Sequence, residues 1–201
     1  ARWRPDFPMA HLVPQCWNWP GRDGKRTPVF VYTSGDAAEL FLNGKSLGRR
    51  KKGPFQYRLE WNQVAYEPGE LKVVAYKNGR KWATDVVQTT GPAAKLVLAA
   101  NHDKISVGRD ELSYVTVSVE DKNGRVVPQA ANLIHFQVSG PGRIVATDNG
   151  DPTDLTSFPS PDRKAFHGLA LAIVRGTESG GLTVKATSDG LRSARLSIKA
   201  E

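Results

Sequence analysis

The stretch Leu71-Lys72-Val73-Val74-Ala75-Tyr76-Lys77-Asn78-Gly79-Arg80-Lys81-Trp82-Ala83-Thr84-Asp85-Val86-Val87 reads as a β-hairpin. Two runs rich in β-branched and aromatic residues flank an Asn-Gly pair, and both residues of that pair tolerate the positive φ of a type I′ turn. The same signal recurs on either side. Asn43-Gly44 follows residues 38–42. Asn123-Gly124 separates 115–119 from Val126-Val127, and Asp189-Gly190 separates 182–186 from 194–198. Short strands repeated at this spacing predict an all-β chain of packed antiparallel sheets.

Alternation within the runs agrees. Val115, Val117 and Val119 fall on one face of a strand, Thr116 and Ser118 on the other. Ile134, Phe136 and Val138 oppose His135 and Gln137. Leu182, Val184 and Ala186 oppose Thr183 and Lys185, and Ala194, Leu196 and Ile198 oppose Arg195, Ser197 and Lys199. One apolar and one wet face per strand is the pattern of a sandwich. No stretch holds a helical period over ten residues, and no apolar run approaches the roughly 20 residues of a membrane-spanning helix.

The chain's 201 residues fit two sandwiches of about 100 residues each. The breakers Thr89-Thr90-Gly91-Pro92 follow a predicted strand and divide the chain into domains 1–91 and 92–201. The net charge of +8 divides at the same place: 15 Lys and Arg face 8 Asp and Glu in 1–91, against 13 and 12 in 92–201. Residues 157–162 are rich in proline and serine, and 147–156 lack a strand pattern, so a long loop is expected between two strands there.

Little in the sequence promises chemistry. None of the eight glutamates pairs with another in a pattern that could flank a glycosidic bond. His11, His102, His135 and His167 lack zinc-ligand spacing, and neither a serine elbow nor a phosphate-cradling glycine loop is present. Cys16, the single cysteine, lies in an apolar stretch and reads as a packed residue. No cofactor or metal is expected. The cluster Asp148-Asn149-Gly150-Asp151-Pro152-Thr153-Asp154 has calcium-like oxygen density, but it lacks EF-hand spacing and the closing glutamate; turn chemistry accounts for it equally well. The basic run Arg49-Arg50-Lys51-Lys52 suits an acidic polysaccharide or a solvated sheet edge. Nothing accompanies it that would read nucleic acid. Trp17-Asn18-Trp19-Pro20 lies among prolines and glycines, which predicts a loop. Its tryptophans either plug the end of the first sandwich or face a sugar or a protein partner.

Three stretches resemble the C-terminal region of the glycoside hydrolase family two (β-galactosidase) enzymes. Residues 9–21, Met-Ala-His-Leu-Val-Pro-Gln-Cys-Trp-Asn-Trp-Pro-Gly, are similar to the segment leading out of the family's catalytic barrel, with Cys16 where a histidine is common. Residues 39–48 with 66–71 resemble its fourth, immunoglobulin-like domain. Residues 149–153 with 163–170 resemble its final domain. The resemblance implies two consecutive immunoglobulin-like β-sandwiches from a retaining β-glycosidase that hydrolyses terminal β-galactosides, without its barrel and without the two barrel glutamates that do the chemistry. It further implies the barrel as partner and a periplasmic or secreted bacterial location. Trp17 and Trp19, at the entry to the first domain and in an exposed-loop context, are the candidates for contacting the barrel or a distal sugar, and neither a membrane nor a nucleic-acid partner is expected. The rival readings are a carbohydrate-binding or adhesive immunoglobulin-like module, and an independent enzyme.

Overall fold

A computed structural model describes residues 4–109 and 111–201; residues 1–3, where the charged N-terminal segment starts, and Asp110 lie outside them. Every regular element among the described residues is a strand, and the chain divides into two compact units, Ala1–Thr89 and Thr90–Glu201.

The first unit contains β1 (Ala10–Val13), β2 (Arg26–Thr33), β3 (Ala37–Leu42), β4 (Lys45–Lys51), β5 (Arg58–Ala65), β6 (Glu70–Lys77) and β7 (Arg80–Gln88). One sheet runs β1-β2-β5 and the other β4-β3-β6-β7, with every pairing antiparallel. The period of two in the sequence sends Val29 and Val31, Leu59 and Trp61, Leu40 and Leu42, and Leu71, Val73 and Ala75 inward into one core. The hairpin β6–β7 turns at Asn78 and Gly79 with φ of 51° and 78°, and β3–β4 turns at Asn43 and Gly44 with 50° and 79°. Both are the left-handed pairs that a type I′ turn demands.

The second unit contains β8 (Lys95–Ala100), β9 (Lys104–Ile105), β10 (Ser113–Glu120), β11 (Leu133–Ser139), β12 (Gly142–Asp148), β13 (Asp162–Lys164), β14 (Leu169–Gly176), β15 (Gly180–Thr187) and β16 (Ala194–Ala200). One sheet runs β12-β14-β10-β8. The other runs β13-β11-β15-β16-β9, with β9 parallel to β16. Val115, Val117, Val119, Ile134, Phe136, Leu182, Val184 and Ile198 all point into its interior.

One expected hairpin does not form. Val126 and Val127 make no strand, only an isolated bridge from Val126 to Glu120. The cause is Asp121, which is fully buried. Its Oδ1 accepts from the backbone N–H groups of Asn123 and Arg125 and curls the chain into a local turn. Its Oδ2 accepts from Gly91 N–H and ties down the start of the unit. At Asn123-Gly124 only the glycine takes a positive φ.

Candidate functional site

Residues 14–25 close one end of the first sandwich. Trp17 is fully buried. Its indole N–H donates to Glu67 O at 2.8 Å, while its own carbonyl accepts from the hydroxyls of Thr89 at 2.6 Å and Tyr66 at 3.4 Å. The rings of Trp17, Trp19 and Tyr66 lie 5.1–5.5 Å apart between centroids, tilted toward one another as aromatic quadrupoles prefer. The expected contact role is therefore corrected for Trp17: a ring with no exposed face plugs the core. Trp19 is half-buried and forms one wall of an apolar hollow of about 470 Å³, with Val13, Pro14, Pro28 and Phe30 and with Arg22, whose guanidinium lies 5.8 Å from the Trp19 ring. Cys16 is half-buried and free.

The basic run does not form a single patch. It occupies the end of edge strand β4 and the residue after it, where successive side chains point to opposite faces. Arg49 lies over the Tyr76 ring at 3.8 Å, whereas Arg50 lies 5.4 Å from the Trp61 ring centroid. Lys52 turns inward, and its Nζ donates to Thr33 O at 2.9 Å. Burial pushes the Lys52 pKa down from the usual lysine range, opposed by Asp36 and reinforced by Lys77.

Between β4 and β5 the chain carries a feature that sequence reasoning passed over. In Gly53-Pro54-Phe55-Gln56-Tyr57, Phe55 is 96% exposed and Tyr57 64%. Phe55 has a φ of 62°, a left-handed conformation that is strained for an aromatic residue. The Gln56 side chain holds the turn by accepting from Gly53 N–H at 2.9 Å. The available signal was an aromatic on each side of Gln56 within a Gly-Pro turn.

The acidic loop between β12 and β13 is organised around an internal cation. Arg163 is buried, and each of its five guanidinium N–H groups has an acceptor. Nε donates to Thr147 Oγ1; one terminal nitrogen donates to Asp154 Oδ2 and Thr156 O; the other donates to Thr147 O and Ser157 O, all at 2.8–3.2 Å. The remaining carboxylates close turns: Asp148 accepts from Asn149 and Gly150, and Asp151 from Thr153. Asn149 donates to both Asp154 and Lys164 O. Among the described residues no three His, Cys, Asp or Glu side chains converge as a metal site.

Residues 96–197 match the glycoside hydrolase family 2 C-terminal domain 5, which is half of the chain. The chain belongs to glycoside hydrolase family 2. Residues 24–83 match a second family, Domain of unknown function (DUF4982). A Bacteroides ovatus protein named beta-galactosidase BoGH2A is 37% identical over 98% of this chain and 23% of its own length. A Formosa agariphila beta-glucuronidase is 27% identical over 99% of this chain and 20% of its own. The crystal structure of a beta-glycosidase from Bacteroides vulgatus superimposes with a TM-score of 0.88 at 36% identity, covering 96% of this chain and 24% of that one. The chain thus spans about a quarter or less of the length of these relatives and matches the family's C-terminal β-sandwich region.

Glycoside hydrolase chemistry requires one carboxylic acid whose pKa is raised and a second carboxylate close by. Among the described residues, four carboxylates of this chain are held below their ordinary range. Thr156 hydrogen bonds, then Arg163, hold Asp154 well below the usual carboxylate range. Ser106 lowers Glu111, the backbone N–H groups of Arg125, Gly91 and Asn123 lower Asp121, and Lys199 lowers Glu201. These carboxylates stabilise turns and ion pairs in their ionised form, the opposite of a proton donor at neutral pH.

Proposed function

We propose that the chain is a non-catalytic accessory region of a retaining β-glycosidase of the β-galactosidase type, acting on terminal β-galactosides, and that its sandwiches support the catalytic barrel. The observation that carries this reading is the match over 98% of the chain to an enzyme named beta-galactosidase, of which that match is only 23%. A beta-glucuronidase among the relatives makes the glucuronide the competing substrate. With Trp17 committed to the core, the hollow walled by Trp19, Pro28 and Phe30 is the surface best suited to receive an apolar element of the barrel. A periplasmic or secreted location belongs to the same proposal.

The test is Trp19→Ala in the enzyme that carries this chain. Loss of heat stability or of β-galactosidase activity, with the sandwich still folded, supports the buttress; an unchanged enzyme refutes it. A glycan-binding reading is favoured by one observation, the exposed pair Phe55 and Tyr57.

A further inference from the structure

We propose that the β4–β5 turn carries a binding site for a carboxylate-bearing pyranose, with Phe55 and Tyr57 as its aromatic platform and Lys52 and Gln56 as its polar donors. The site stands independently of the parent enzyme's reaction.

Three observations converge on it. The first is the exposed pair of rings. Aromatic residues of this size normally bury their surface, and their faces complement the apolar C–H face of a pyranose. The strained backbone at Phe55 places one ring at the tip of the turn, where a glycine would be the relaxed choice.

The second is a hollow of about 320 Å³ bounded by Phe55, Tyr57, Gln56, Lys52, Thr33 and Ser34, a size that accommodates a sugar unit. The two hydroxyls on its floor are already committed. Ser34 Oγ donates to Phe7 O and accepts from Met9 N–H and the Trp82 indole; Thr33 Oγ1 donates to Met9 O and accepts from Gly35 N–H. Gln56 spends its oxygen on Gly53. What faces a ligand is therefore donor in character: the Gln56 amide nitrogen and the Lys52 ammonium, which spends one N–H on Thr33 O and has three. With the Tyr57 hydroxyl able to donate or accept, the lining is rich in donors and favours a ligand rich in acceptors.

The third is charge. Residues 1–91 carry 15 basic against 8 acidic side chains, which attracts an anion to this unit. Burial disfavours the charged form of Lys52 and Asp36 offsets that only in part, so a carboxylate in the hollow would favour the ammonium further.

The experiment is isothermal titration of the 201-residue chain with trigalacturonate and, separately, galactotriose, at low and at physiological salt. The expected result is saturable binding of trigalacturonate that weakens with salt, and much weaker binding of galactotriose. Phe55→Gly is the decisive variant. It removes the ring and relaxes the left-handed backbone, so the melting temperature will hold or rise while affinity falls roughly tenfold. Lys52→Gln will abolish the preference for the acidic sugar. No binding of trigalacturonate, equal affinity for both sugars, or binding that survives Phe55→Gly would each overturn the proposal.

Discussion

Replacing Arg163 with methionine tests how the acidic loop is held. Methionine keeps an apolar stem in a site where Arg163 is 1% exposed, but it donates nothing. Five acceptors then lose a donor. Those of Asp154, Thr156 and Ser157 lie on a surface loop and can turn to water. Thr147 is fully buried: its carbonyl is stranded, while its hydroxyl loses the Arg163 donor but keeps its own donation to Ser160 O at 2.7 Å. One stranded carbonyl at about 1–3 kcal/mol, a hydroxyl that loses one of its two bonds and a carboxylate deprived of its cation put the loss at about 3–5 kcal/mol. At about 4 °C per kcal/mol for a unit of this size, the melting transition of Thr90–Glu201 will fall by about 12–20 °C. Differential scanning calorimetry reads this directly, and the transition of Ala1–Thr89 serves as an internal control. Arg163→Lys, with at most three donors on a shorter reach, will fall between the two. A drop under about 4 °C for methionine would refute the cation-centred loop.

Other consequences follow from the same contacts. Trp17→Ala will destabilise the first unit by about 3–5 kcal/mol in urea unfolding, because it empties the plug of a closed core. Gly168→Ala will be costly, about 2–4 kcal/mol by the same assay: its φ is +77°, and a Cβ would sit 2.4 Å from Val127 O. Gly150→Ala, at φ +75° with open space around it, will cost only about 1 kcal/mol. Glu111, Asp121, Asp154 and Glu201 all have depressed folded-state pKa values. Their contribution is present above the unfolded carboxylate pKa of about 4 and is lost as pH falls through the folded values. The second unit will therefore keep its stability from neutral pH to about pH 5 and lose it progressively below pH 4 in an acid titration followed by circular dichroism.

What the sequence disclosed follows the range of the forces involved. The β6–β7 hairpin needs only Asn78-Gly79 and the alternation beside it, all local, so it was legible. The inward faces of β10, β11, β15 and β16 were legible for the same reason. Val126-Val127 looked like a return strand because its rival, the Asp121 carboxylate, acts through backbone N–H groups that no composition reveals. Trp17 looked available because its loop is rich in proline and glycine; its partners Glu67, in the β5–β6 connection, and Thr89, just after β7, are distant in sequence. Arg49–Lys52 looked like one patch until the pleat separated neighbouring side chains. Arg163 belonged to a legible motif, yet its role depends on Thr147, Asp154, Thr156 and Ser157, brought together by a loop that carries no periodic pattern. The exposure of Phe55 and Tyr57 depends on the path of the β4–β5 turn, which no periodic pattern reports.

The central claim is that this chain supports a glycosidase without performing its chemistry. The most direct measurement compares the purified 201-residue chain with the longer enzyme proposed to carry it, each incubated with a chromogenic β-galactoside and a chromogenic β-glucuronide. The account predicts hydrolysis of the galactoside by the longer enzyme and none by the chain alone. Saturable turnover of either substrate by the 201-residue chain would contradict it.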